Sequence, residues 1–381
     1  MLEKTLYIDM IPRDLLFCRD GRPMEGSWSG SGGYLPGPVT FHGAAVAEYC
    51  RRYPEELKAK YSEKLTSGLR IVGPFLKKDN QNFFSTPLDV TPDNGFMELE
   101  KLEGCSDLQD FLEYALFMSK PEKKTAAPYI SFENFQKYLA GEEFKTVGES
   151  FFFEHETRPG IAIDPKTRTA AESQFYDARY LRLLDGVSLS GEIIMNCGNE
   201  LENLFTFPNN TLQLGGQQSL VYVKPQMGKK INFPQVKITG TLVKYVLLTP
   251  AAYLNGWYPD FVEQDGTLQL KAETGERPER LPGETRSEYR KRIEKVPIKA
   301  KMIAARVGKP LAISGWKLKN ESSGTPRATR LYVPAGSVYY FRAQDETHAQ
   351  LLANALTGSP RSAYGARGGC GIGVCGNFKI N

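Results

Sequence analysis

Cysteine is scarce and scattered in this chain of 381 residues, with six thiols at positions 18, 50, 105, 197, 370 and 375 and no C-x-x-C among them. Structural zinc needs closely spaced thiol and imidazole ligands, so no metal is expected. Free thiols fit a reducing compartment, and a cytoplasmic protein is the expectation. Long hydrophobic runs are missing too. No apolar stretch approaches the ~18 residues of a membrane span, and Met1-Leu2-Glu3-Lys4 starts no signal peptide, so no membrane partner is expected. Histidine is scarcer still: His42, His155 and His348 are the whole set. There is no H-E-x-x-H, and no Asp/Glu cluster has the look of a two-metal site.

Charge of one sign is nearly balanced overall, at +4, but its distribution is not. From Val296 onward twelve Lys or Arg residues face only Glu321, Asp345 and Glu346. Such an asymmetry suits either a nucleic-acid face or an ordinary basic surface.

Glycine is what the chain has in quantity, 36 in all, and it crowds the segment 365–376. Glycine lets backbone N–H groups approach a phosphate with no Cβ in the way. Arg361 and Arg367 flank Tyr364 there, a composition suited to a polyanion. Gly371, Gly373 and Gly376 also spell G-x-G-x-x-G, but a dinucleotide fingerprint must open a helix inside a βαβ unit, and the five residues after Gly376 leave no room for one. No cofactor is expected.

Residues 5–11 read as a first strand ended by Pro12, and Pro38 with Thr40 as N-cap announces a helix from about Phe41 to Tyr53. Helical stretches follow at 108–119 and 132–139. Residues 158–184 read as a hairpin turning at Asp164-Pro165. Arg158, Lys166, Arg168, Arg179 and Arg182 decorate it beside Phe175 and Tyr176, as a solvated arm or a nucleic-acid finger. Strand patterns resume near Leu212 and run through 236–248, 301–318 and 328–342. The stretch 265–296 is a charged, apolar-poor insert expected to be mobile. Thr347–Leu356 reads as a short helix and Gly376–Ile380 as a closing strand. Both halves mix strands with a few helices, an α+β organisation in two parts, 1–205 and 206–381.

Five segments in order then carry a resemblance. Pro12-Arg-Asp-Leu-Leu-Phe-Cys-Arg-Asp-Gly-Arg-Pro-Met, Pro36-Gly-Pro-Val-Thr-Phe-His-Gly-Ala, the hairpin text from Arg158, Leu214-Gly-Gly-Gln-Gln and Pro334-Ala-Gly-Ser-Val-Tyr-Tyr-Phe resemble the third Cmr subunit of type III-B CRISPR effector complexes, a RAMP protein. The resemblance spans nearly the whole chain and departs at Gln217 and Gln218, where charged residues are common in the family. It implies two ferredoxin-like (RRM-like) domains, binding of the 5′ repeat-derived tag of CRISPR RNA, and pairing with the large polymerase-like subunit. It also implies contact with the RAMP subunit of the backbone filament, with target RNA touched only indirectly.

The residues expected to line the RNA path are Arg19, Arg22, His42, Arg158, Lys166, Arg168 and Arg367, with Gly368, Gly369, Gly371 and Gly373 giving close backbone approach. Arginine forks and stacked aromatics are how single-stranded RNA is held. The rival reading is a RAMP-type endoribonuclease that processes CRISPR RNA precursor with His42 as general acid or base. A lone histidine is more often a structural or phosphate-contacting group, and no catalytic residue is assigned.

Overall fold

The computed structural model describes residues 4–21, 32–52, 69–103, 111–118, 124–164, 166–195, 204–205, 210–273, 279, 281, 283–285, 288–289, 292–293, 295–318 and 324–380. It is mixed α+β and rich in strands, with three helices of two turns or more among the described residues.

The first sheet holds eight strands: β1 (Lys4–Pro12), β2 (Leu69–Lys78), β3 (Gln81–Ser85), β4 (Tyr129–Ser131), β5 (Thr146–Val147), β6 (Val187–Met195), β7 (Thr211–Gln213) and β8 (Leu220–Met227). Their spatial order is β7-β8-β1-β6-β2-β3-β4-β5, with every neighbouring pair antiparallel. Leu6, Ile8 and Met10 alternate along one side of β1 and meet helix α1 (Pro38–Arg52). The small Ala44 and Ala45 let α1 lie close to the strands, and Gly191 in β6 leaves room for the Phe41 ring, which a Cβ there would strike. Proline suits the first helical turn, where its missing N–H costs nothing. α1 therefore begins at Pro38, and Thr40 lies inside the first turn rather than capping it. The expected end at Tyr53 lies outside the described residues.

The second sheet holds β9 (Leu242–Leu247), β10 (Ala300–Arg306), β11 (Val338–Ala343) and β12 (Gly373–Asn377), in the order β10-β11-β9-β12. Counting β1, β2, β6 and β8 as first to fourth, and β9 to β12 likewise, both sheets contain the order fourth-first-third-second. Helix α2 (Phe132–Ala140) forms where expected. Ser131 Oγ accepts from Asn134 N, Gly141 ends the helix at φ +81°, and Phe135, Tyr138 and Leu139 are buried. Helix α3 (Glu346–Leu356) is capped by Asp345 and packs Ala349, Leu352 and Leu356 into the second core.

A third core joins the two sheets. Tyr7, Phe75 and Phe84 meet Val246, Ile303, Tyr340 and Val374 through α2. Within this seam the Asp89 carboxylate accepts from the hydroxyls of Tyr138 (2.7 Å) and Tyr340 (2.6 Å), while the buried Lys244 Nζ donates to the Tyr138 carbonyl at 3.0 Å. Burial lowers the Lys244 pKa to about 8.

Four expectations are corrected. Tyr114–Phe117, inside the expected helix 108–119, is a strand paired with Glu98–Lys101; a short apolar run does not declare its period. Thr211–Met227, assigned from sequence to the second half, completes the first sheet, so the boundary at 205/206 does not coincide with the sheet boundary. The closing strand is Gly373–Asn377 because Val374 and Cys375 are buried on its two sides. The amino-terminal part of the 265–296 insert is packed: Leu270 and Ala272 are buried, and Lys271–Glu273 pairs with Lys295–Pro297. No described helix is long and apolar enough to cross a membrane.

Candidate nucleic-acid interface

The hairpin is longer than its text suggests, pairing Phe153–Ile163 with Ala170–Leu183. Its base is fixed to the loop after β1 by reciprocal backbone bonds between Leu16 and Leu181, both 2.9 Å, and by the Phe17 and Tyr180 rings at 5.0 Å. Its outer part stands away from the body, with Ile161 and Ile163 54% and 63% exposed. At the tip the Asp164 carboxylate accepts from Lys166 N at 2.7 Å, and the Asp164 carbonyl accepts from Arg168 N at 2.8 Å. Arg168 takes φ +55° to close the turn. Lys166 and Arg168 are exposed, and neither makes an ion pair among the described residues. Nearer the base Arg158 and Arg182 each donate to Glu156 at 2.7 Å, which holds its carboxyl below the usual range. The side chains of Phe175 and Tyr176 lie outside the described residues.

From the hairpin base a line of packing contacts continues across the molecule, with Arg19, Arg330 and Arg367 exposed along it. The turn Leu214–Ser219 seats Gly216 N on the Phe17 carbonyl at 2.7 Å. Arg19 is exposed in the loop between; Arg22 lies outside the described residues. Gly21 N donates to Ala312 O at 2.8 Å, tying that loop to a ribbon formed by Leu311–Ile313 and Arg330–Tyr332. The Arg330 guanidinium lies 3.6 Å from the centroid of the Tyr364 ring, and Ile313, Tyr332, Tyr364 and Cys370 share a small core with Val39 of α1. Tyr364 leads into the glycine segment, which reaches His42 at the amino end of α1: a Cβ on Gly368 would sit 3.4 Å from the His42 Cβ.

The structure therefore brings His42, Gly368 and Arg367 together. Packing contacts link this corner to the loop that carries Arg19 and to the hairpin base, Arg158 lies on the hairpin beside Tyr180, and Lys166 and Arg168 stand apart at the tip. The sequence missed Arg327 and Arg330. Their signal, two arginines just before Tyr332, was present, but the stacking partner Tyr364 is 34 positions from Arg330 and meets it only in the fold.

The glycines need a correction. They were expected to offer N–H groups to phosphate, yet Gly368, Gly369, Gly371 and Gly373 are all buried. Gly369 N donates to Ala366 O at 3.1 Å and Gly371 N to Pro250 O at 2.9 Å, while Gly373 pairs with Leu247 in β9. A Cβ on Gly371 would fall onto the Arg361 carbonyl, and one on Gly373 would sit 2.5 Å from the Tyr245 ring. Close approach by the chain itself accounts for them. Arg361 is likewise structural, donating from Nη2 to Ala355 O at the end of α3.

His42 Nε2 is closed from solvent and has no hydrogen-bond partner among the described residues. Burial lowers the ring's pKa, opposed by a hydrogen bond to the Leu69 backbone and reinforced by Arg327, so the neutral imidazole is favoured. His155 stands beside Glu149 at 3.7 Å, and His348 Nδ1 accepts from Lys299 N. Burial pushes the thiols of Cys18, Cys370 and Cys375 up to about 12, which leaves them unreactive at neutral pH. Among the described residues no group of three or more potential metal ligands gathers. A cavity of about 500 Å³ in the second half is lined by Asp260, Glu263 and Asp265 with no Lys or Arg, and its charge repels a polyanion.

A family model described as CRISPR-associated protein (Cas_Cmr3) matches residues 8–366. Among solved structures the chain is similar to one in a cryo-EM structure of the type III-B Cmr-beta bound to cognate target RNA and AMPPnP. The identity is 13%, the match covers 92% of this chain and 88% of that one, and the TM-score is 0.45. It is also similar to a chain of the Csm3–Csm4 subcomplex in the type III-A interference complex (12% identity, 89% and 93% covered, TM-score 0.39). A chain of the Csm1–Csm4 cassette in complex with pppApA is a third (14%, 87% and 97%, 0.37). No curated protein matches. The chain belongs to the CRISPR-associated protein (Cas_Cmr3) family, subunits of type III CRISPR-Cas effector complexes.

Proposed function

We propose that this chain is a non-catalytic RNA-binding subunit that anchors the 5′ repeat-derived tag of CRISPR RNA and bridges the large polymerase-like subunit to the RAMP backbone. In this reading the two sheets are two ferredoxin-like units, for which the shared fourth-first-third-second order is the support. The observation that carries the proposal is the line of contacts from the hairpin base through the Arg330–Tyr364 stack to His42, with Arg19, Arg330 and Arg367 exposed along it. Exposed cations beside rings are what an unpaired polyribonucleotide needs, its phosphates neutralised and its bases stacked. The hairpin tip, with Lys166 and Arg168 pointing to solvent, clamps across the strand.

The reading leaves RNA bonds intact. A general acid or base must reach the reacting proton within hydrogen-bond distance, and His42 Nε2 is sealed beneath neighbouring atoms. Purified protein with labelled repeat RNA yields no discrete product; a product that disappears in His42→Ala would overturn this half of the proposal. For binding, affinity for a tag oligoribonucleotide falls in the Lys166→Glu/Arg168→Glu double variant. The slope of log affinity against log salt shrinks by about 1.4, that is ~0.7 for each lost phosphate contact. An unchanged slope removes the hairpin from the site. Pull-down from the native host followed by sequencing of co-purifying small RNA tests the tag assignment itself.

A further inference from the structure

Among the described residues, the face of the first sheet opposite α1 is covered over one half only. There Lys229 holds its Nζ 4.3 Å from the Tyr7 ring centroid, Ile231 donates its N–H to Glu192, and Phe233 meets Phe75 edge to face at 6.4 Å. The other half, built from β8, the end of β1 and the β2–β3 turn, is open among the described residues. Tyr222 on β8 is 46% exposed and stands opposite Ile11, with Lys224 opposite Asp9 in the same register. The Arg13 guanidinium lies 5.0 Å from the centroid of the Tyr222 ring.

Beside this ring lies a cavity of about 270 Å³, lined by Asp9, Ile11, Lys77, Asp79, Asn80 and Lys224 among others. Its floor is a buried ion pair, Lys77 Nζ to Asp9 Oδ2 at 2.8 Å, with side-chain exposures of 9% and 11%. The Tyr7 hydroxyl donates to Asp9 at 2.7 Å and accepts from Lys77 at 3.2 Å, so the floor is satisfied and fixed. Asp79 and Asn80 form the tight turn between β2 and β3, at φ +50° and +59°, and hold their side chains on the rim.

We propose that this open half-face is a second nucleic-acid site, separate from that line of contacts, which takes unpaired RNA with one base stacked on Tyr222 and the next base in the cavity. The volume lies just below the ~300–1,000 Å³ of sites for drug-sized ligands, which suits a single base. The rim offers a carboxylate, an amide and an ammonium, the acceptors and donors that read a base edge. Arg13 and Lys224 flank the ring and serve the phosphates on either side. Leu220 is exposed on the same face of β8, so the cations beside the ring favour RNA, and a protein partner is an outcome that the test separates. The assignment stands whether or not that line of contacts holds a repeat-derived tag.

The test uses the full chain and short labelled oligoribonucleotides of A, C, G and U unrelated to any repeat, read by fluorescence anisotropy and by ultraviolet crosslinking with peptide mapping. Tyr222→Ala lowers affinity roughly 5- to 150-fold, the range of one lost stacking contact, and Tyr222→Phe retains it. The crosslink falls on Tyr222 in the parent protein and persists in Lys166→Glu/Arg168→Glu, which separates this site from the hairpin. Tyr222 is nearly half exposed, and circular dichroism of each variant checks that the fold is kept. An affinity unchanged in Tyr222→Ala, or a parent crosslink that maps away from Tyr222, would overturn the proposal. So would a Tyr222→Ala variant that keeps its RNA and loses only a co-purifying protein.

Discussion

The hairpin and the carboxyl-terminal glycine segment are both marked in the sequence by cations beside residues of unusual freedom, and the fold uses them in opposite ways. The outer hairpin pairs with itself alone and leaves Ile161, Ile163, Lys166 and Arg168 in solvent. The glycine segment is threaded between the two sheets: Ile71 N donates to Arg367 O at 3.0 Å, Thr249 Oγ1 to Gly369 O at 2.8 Å, and β12 lies against β9. Glycine density marks a place where something approaches the backbone closely; here that something is the chain's own Tyr245, Arg361 and Ile71. One element is available to a partner and the other is committed to holding the halves together.

The largest effect that follows is on stability. Gly371 sits at φ +79° with the Arg361 carbonyl where a Cβ would go, so Gly371→Ala costs about 3 kcal/mol or more from left-handed strain plus overpacking. Urea unfolding measures it, and a midpoint equal to the parent's would place the glycine segment with the hairpin as a loose element.

A smaller effect is the pH dependence of stability, which arises on the glycine side of the comparison. Burial lowers the His42 pKa, so as pH falls through about 6.5 the unfolded chain binds a proton that the folded chain resists, and stability is lost toward acid. Lys244, paired with Gly376 across β9 and β12, has its pKa lowered to about 8 from 10.5. Between those values the unfolded chain holds the extra proton, so this lysine makes stability rise with pH across that window. His42→Gln flattens the acid limb and Lys244→Met the alkaline one, followed as urea midpoints against pH. The smallest effect is at the hairpin. Lys166→Glu/Arg168→Glu leaves the melting temperature in place while RNA affinity falls, and a drop in melting temperature would show the tip to be part of the packed body.

Much of the architecture was legible. Residues 5–11 read as the first strand, and the helices expected from about Phe41, at 132–139 and at Thr347–Leu356 all form. Less legible was anything settled by pairing. Tyr114–Phe117 is too short to show a period, and Thr211–Met227 joins the first sheet only because β1 offers it an edge. The candidate site divides the same way. The hairpin cations were readable, being local in sequence. The Arg330–Tyr364 stack, the seal over His42 and the cavity beside Tyr222 each need residues brought from distant segments.

By itself the sequence determined the α+β character, the hairpin and the family to which the chain belongs, because periodicity, turn chemistry and ordered motifs are written along the chain. Only the tertiary structure decided which glycines face the protein, which cations remain unpaired and which half of a sheet stays open. Those properties depend on what stands opposite each group across the fold, and that neighbour is set by packing rather than by position in the chain.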